Sequence, residues 1–205
     1  MFLALSPRQG EQNMRNQQRG HSLVELLTVL AIAGIMITTI TRAVDYARRT
    51  AALVASTSEM RALFQSTRAI AIAHRRNVAI RFRQDGDTWT WRVYEDRNKD
   101  GVRNDDIARG IDVPISPTRT LPYLPARVGV PSDKIIDPMN GQPLASRLPV
   151  RFGTSQLCAF SREGEATNGS LVLTDGRNVR IISVGGHSAL ISVMRWDGSR
   201  WITTS

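Results

Sequence analysis

Two stretches of the chain space their residues in ways that bear on chemistry. The first is RGHSLVELLTVLAIAGIMITTI, residues 19–40, where Glu25 is the only ionisable residue between Leu23 and Ile40. A carboxylate in a membrane helix costs at least about 2.5–3.5 kcal/mol on insertion scales, so it calls for a partner. A cut after Gly20 would supply one: it leaves a positive amine on His21, four residues before Glu25. In a stack of such helices that amine can neutralise the Glu25 of a neighbouring subunit. The second stretch is DRNKDGVRNDDI, residues 96–107, which fits the first half of a calcium loop, D-x-[DN]-x-[DN]-G. Asp96, Asn98 and Asp100 would give side-chain oxygens, Gly101 the sharp turn and Val102 a backbone carbonyl. The twelfth position is Ile107 rather than Glu, so Asp105 or Asp106 would have to stand in. The same composition also suits a polar hairpin loop built on Asp, Asn and Gly turn chemistry.

A third candidate is a basic surface. Arg177 and Arg180 flank a strand start in DGRNVR, and Arg195 and Arg200 lie in the last hairpin beside Trp196 and Trp201. Arginine next to aromatic rings suits phosphate contact with base stacking, hence DNA. Period-two alternation, with arginine outside and Val or Ile inside, produces the same pattern. The four tryptophans, Trp89 and Trp91 included, read as core or edge-packing residues. Other chemistry is missing. Cys158 is the only cysteine and sits in the apolar run LCAF, as a buried thiol would. His21, His74 and His187 are scattered, with no zinc spacing, phosphate loop, nucleophile elbow or dinucleotide fingerprint. Nothing here points to an enzyme. The 27 Lys and Arg against 18 Asp and Glu give a net charge of +9, nearly all of it from arginine, which favours anionic partners or simple solubility.

The elements that must carry these residues can be read from periodicity. The apolar run is close to the roughly 20 residues a spanning helix needs. Arg8, Arg15 and Arg19 precede it, which holds the N-terminus in the cytoplasm. The run also admits a secretory signal, with Ala31–Ala33 as a small-x-small cleavage site before Gly34, or a plain anchor. From Thr41 to about Arg76 there is neither Pro nor Gly. Val44, Ala47, Ala51, Val54, Met60, Leu63, Phe64 and Ala71 recur at helical spacings. One helix from about Ser22 to His74 follows, near 80 Å at about 1.5 Å per residue; a break at Thr38–Thr41, where β-branched residues cluster, would make it two. After residue 77 the period becomes two. Strands are expected at 77–84, 88–96, 148–153, 169–175, 178–184 and 189–196, with DGD (85–87) turning the first hairpin. Eight of the nine prolines fall between Pro114 and Pro149, in a loop-rich middle. A helix followed by strands alone is an α+β fold, with the sheet packed on the helix.

RG-HSLVELLTVLAIAGI resembles the leader and N-methylation motif of type IV prepilins and type II secretion pseudopilins. Gly20, Leu23, Val24, Glu25 and Leu26 match, Ser22 replaces Thr, and His21 stands where Phe is usual. MRNQQRG is a leader of the usual length, so translation is expected to start at Met14. Within that group, F-x-x-x-G-x-A-x-x-G-S-L-x-L, matched by Phe160, Gly164, Ala166, Gly169, Ser170, Leu171 and Leu173, is similar to the GspH/FimT branch. The resemblance implies a leader (1–20), a transmembrane and assembly helix (21–45), an amphipathic helix (46–76) and a β-rich pilin-like head (77–205). It implies a prepilin peptidase that cuts after Gly20 and methylates His21. It further implies partners among pilins or pseudopilins, a single pass of the bacterial inner membrane, a periplasmic head and a place in a filament, its tip included. The host would be a type II secretion or type IV pilus machine. Some FimT-like members are DNA receptors for transformation, the alternative role; GRNVR here lacks their tight Gly-Arg-x-Arg spacing.

Overall fold

The computed structural model describes residues 22–130, 135–138, 141–144 and 148–204, with the side chains of 37–40 excepted. A single helix, α1, spans Leu23–His74. It begins where the Ser22 carbonyl accepts the Leu26 N–H at 3.0 Å. The chain divides into two compact units, residues 1–43 and 44–205.

In the first unit, Leu23, Val24, Leu26, Leu27, Val29 and Leu30 are each more than half exposed. This part of α1 is long and apolar enough to cross a membrane.

The second unit wraps two antiparallel sheets around the rest of α1. One sheet runs β3 (Val113–Pro114), β2 (Thr88–Glu95), β1 (Val78–Asp85), β7 (Leu157–Phe160), with β4 (Arg119–Thr120) also on β2. The other runs β11 (Trp201–Thr204), β10 (Ile191–Trp196), β9 (Val179–Val184), β8 (Gly169–Thr174), β5 (Arg127–Val128), with β6 (Val150–Arg151) also on β8. This is an α+β, pilin-like arrangement. Alternation decides which side chains face in. Val78, Ile80 and Phe82 of β1, Trp89, Trp91 and Val93 of β2, and Leu171, Leu173, Ile182 and Val184 of β8 and β9 share one core with α1. At its centre Phe64 of α1 lies 6.3 Å from Phe82 and 5.8 Å from Phe152, and Phe82 stacks on Phe152 at 5.8 Å. The opposite faces of the sheets carry smaller clusters. Val172, Val179 and Ile181 pack with Ile135 and Leu144, and Ala79 and Leu157 pack with Val102.

Two expectations change. The core face of α1 is Leu53, Ser56, Thr57, Met60, Phe64, Thr67 and Ala71, while Val44 and Val54 point outward. Three hydroxyl residues therefore sit inside. Thr57 and Thr67 satisfy theirs by donating to the Leu53 and Leu63 carbonyls, at 2.6 and 2.7 Å. LCAF, read only as an apolar run, is strand β7 and pairs with β1, with Cys158 opposite Ile80.

Candidate functional site

The processing residues Gly20 and His21 lie outside the described residues. Glu25 sits in the first turn of α1, within the exposed apolar stretch, and its backbone carbonyl accepts the Thr28 hydroxyl at 2.8 Å. An apolar surface of this extent left in water would cost about 25 cal/mol per Å², so lipid or protein must cover it. The geometry therefore presents one carboxylate on a surface that has to be buried.

The acidic loop follows β2. Asp96 is 1 % exposed. Its Oδ1 accepts the Lys99 N–H at 2.6 Å, and its Oδ2 accepts the Gly101 N–H at 2.9 Å and the Asn77 amide at 2.8 Å. Lys99 and Gly101 take positive φ, +69° and +95°, which winds the loop tightly. Asn98 and Asp100 are exposed, and Asp100 pairs with Arg103 at 3.4 Å. The Val102 side chain packs with Ala79 of β1 and Leu157 of β7, and Ile107 packs half-buried against them, so the twelfth position holds an apolar packing residue. Asp106, in the short helix α2 (Asn104–Ala108), is buried and bound to Arg109 at 2.6 Å. Asp112, which the spacing did not mark, is also buried. Burial pushes its carboxyl up from the usual range, the Arg103 and Arg97 amides oppose this, and the charges of Asp96 and Asp106 add to the rise. Among the described residues no three carboxylate, imidazole or thiol groups converge closely enough to hold an ion by themselves.

The basic candidates separate. Arg180 and Arg195 stand directly opposite each other on β9 and β10. Burial and the neighbouring Arg195 charge lower the Arg180 guanidinium from its ordinary value. Arg177 lies in the β8–β9 turn, and Arg200 pairs with Asp197 at 3.5 Å. Trp196 and Trp201 pack edge to face at 5.5 Å against the outer cluster, and the Trp201 indole donates to the Ile136 carbonyl at 2.7 Å. Residues of opposite parity on a strand point to opposite faces. The paired arginines and the paired tryptophans thus lie on opposite sides of the sheet and form no interleaved surface. A second basic face, unmarked by any motif, forms where Arg81 of β1 stands opposite Arg92 of β2 beside Arg83, with Arg92 5.9 Å over the Tyr94 ring. The alternation in NVAIRFRQ and TWTWRVY carried that signal.

An apolar N-terminal helix with an acid in its first turn, continuing into a head of antiparallel sheets packed on a helix, defines a pilin-like subunit. The prokaryotic N-terminal methylation motif matches residues 15–41, and the family model for type II transport protein GspH matches residues 56–187. The chain belongs to the GspH family of type II transport proteins. No curated protein and no solved structure matches it. Family and motif together make it a pseudopilin of the type II secretion and type IV pilus class, and the motif implies prepilin peptidase processing and assembly with other pilins or pseudopilins.

Proposed function

We propose that the chain is a minor structural subunit, not a catalyst. It is cut after Gly20, is methylated on His21, and enters a filament through α1. The observation that carries this is Glu25 in the first turn of an exposed apolar helix, inside the stretch matched by the methylation motif. A carboxylate buried among helices is costly unless paired. Glu25 therefore selects the stacking register that puts a neighbour's His21 amine beside it. The subunit passes the inner membrane once, with its head in the periplasm, and the minor role fits a position at the filament tip.

Mass spectrometry of the mature N-terminus, after expression with a prepilin peptidase, tests the reading. The expected product starts at His21 and carries one methyl group. A product that starts at Gly34 would make the segment an ordinary signal and overturn it.

A further inference from the structure

We propose that the outer face of β1 and β2 binds a phosphate group, held by Arg81, Arg83 and Arg92. The site is independent of how the N-terminus is processed.

Alternation puts these arginines on one face. Ile80 and Phe82 of β1 and Trp91 and Val93 of β2 are spent on the core, so Arg81, Arg83 and Arg92 turn to the other side of the sheet. The register sets Arg81 directly opposite Arg92, and Arg83 opposite Thr90. Like charges directly opposite on neighbouring strands destabilise a sheet. No acid relieves this pair: among the described residues, none of the three arginines lies within ion-pair distance of a carboxylate. All three border one cavity of about 340 Å³, together with Tyr94 and Thr118. Asp85 borders it too, but stands at the far end of β1, opposite Thr88.

Arg92 is already held in place. Its Nε donates to the Ser116 carbonyl at 2.9 Å, and the Ser116 hydroxyl accepts the Val93 N–H at 2.9 Å. The guanidinium also lies 5.9 Å over the Tyr94 ring. Among the described residues its terminal nitrogens make no hydrogen bond, and neither do the Arg81 and Arg83 side chains. The site therefore offers fixed positive charge and many N–H donors, and its ligand is an anion. A carboxylate is planar, and one guanidinium satisfies both its oxygens, which would leave the opposed arginine unrelieved. A phosphate monoester or free phosphate offers at least three acceptor oxygens and close to two negative charges. It can take Arg81 and Arg92 from two sides, give a further oxygen to Arg83, and turn the repulsion across the strands into attraction. A phosphodiester, with a single charge, meets only half of that demand.

The test uses the full chain in detergent micelles at low ionic strength, titrated with sodium phosphate by calorimetry. One phosphate per chain is expected, with Kd of about 1 mM or below. Phosphate should also raise the melting temperature, and sodium acetate at equal ionic strength should do neither. Arg81→Gln and Arg92→Gln should each weaken binding more than about tenfold and lose the thermal gain. Phosphate-free Arg81→Gln should melt no lower than the phosphate-free parent, because it removes the repulsion. Arg83→Gln, at an exposed position, should also weaken binding and serves if the other variants do not fold. Arg177→Gln removes the same charge from the other sheet and should bind as the parent does. Phosphatidic acid added to the micelles tells the sources apart: competition with phosphate assigns a lipid headgroup, and unchanged phosphate affinity assigns the free anion or a soluble ester. Absence of saturable phosphate uptake by the parent, equal uptake of acetate, or parental affinity in both Arg81→Gln and Arg83→Gln overturns the site.

Discussion

Gly169 opens β8, and replacing it with alanine should destabilise the head even though its φ is one that any residue adopts. An added Cβ would lie 2.3 Å from the Arg151 carbonyl oxygen and 2.5 Å from Cδ1 of Phe152. Neither neighbour can yield cheaply. The carbonyl belongs to β6, whose Val150 and Arg151 pair with Leu171 and Ser170 of β8. The Phe152 ring is fully buried and held between Phe64 and Phe82. Restoring an ordinary contact distance moves β6 away by most of an ångström and strains that pairing, including the hydrogen bond from the Val172 N–H to the Pro149 carbonyl at 2.8 Å. Overpacking of this kind costs about 1–3 kcal/mol, and each weakened hydrogen bond about 0.5–1.5 kcal/mol. Stiffening the unfolded chain returns only about 0.4–1 kcal/mol. The net loss is about 1–3 kcal/mol. Guanidinium unfolding of the full chain in micelles, followed by the fluorescence of the buried Trp89 and Trp91, reads it as a lower midpoint at unchanged slope. Gly129→Ala is the control. Its added Cβ would meet nothing nearer than 3.7 Å, so only the gain from the unfolded chain remains. A Gly169→Ala midpoint equal to or above the parent's, or an equal fall for Gly129→Ala, would refute the steric reasoning.

Other consequences are as direct. Glu25→Ala should leave cleavage after Gly20 intact and keep the subunit out of filaments; immunoblots of sheared filaments and membranes separate the two, and normal incorporation removes the pairing argument. Cys158 is fully buried, and burial pushes its thiol well above the ordinary range. A maleimide reagent should leave the native chain unlabelled and label it stoichiometrically in denaturant, whereas native labelling would show that β7 is open. Asp197 accepts the Ser199 and Arg200 N–H groups at 2.8 Å. Those amides, Arg200 first, lower its carboxyl from 3.8 to about 2. Because the folded value is depressed, its contribution is complete above the unfolded value and is lost as pH falls from about 4 toward 2. Hydrogen exchange at Arg200 should quicken over that window in the parent and show no such step in Asp197→Asn.

The fold was legible wherever a period repeats. Strands β1, β2, β8, β9 and β10 each hold six or eight residues, enough for β2 to alternate along its length and for β8 and β9, buried almost throughout, to show as apolar runs, and the start of α1 follows from the apolar run after Ser22. Strands β3, β4 and β5 hold two residues each and β7 four, too few to show a period. The α1 core face misleads by hydrophobicity because close packing favours small side chains that can bond their own helix, as Thr57 and Thr67 do. Of the acidic loop, Asp96 and Gly101 were visible because a tight loop needs those types at that spacing. Asp112 was not, because only the path through α2 brings it back. The opposite placement of Arg195 and Trp196 follows from alternation alone, so the mixed basic and aromatic surface was already doubtful from their adjacency in sequence.

The stretch from Phe160 to Leu173 shows what kind of constraint the GspH head imposes. It carries the chain from β7 in one sheet to β8 in the other. Phe160 is buried in the shared core and bridges to Ala166, and Gly164 turns the connection at φ +90°. A Cβ at Gly164 would come within 3.5 Å of Ile72 on α1, so the turn lies close against the helix. Gly169 then lets β8 pass against β6, and Leu171 and Leu173 enter the core from the second sheet. Six of the seven positions of that pattern, all but Ser170, thus have a mechanical reason: together they close two sheets around one helix. None offers a ligand or a reacting group. What distinguishes this subunit chemically must lie outside that stretch, and the exposed apolar end of α1 that carries Glu25 is such a place.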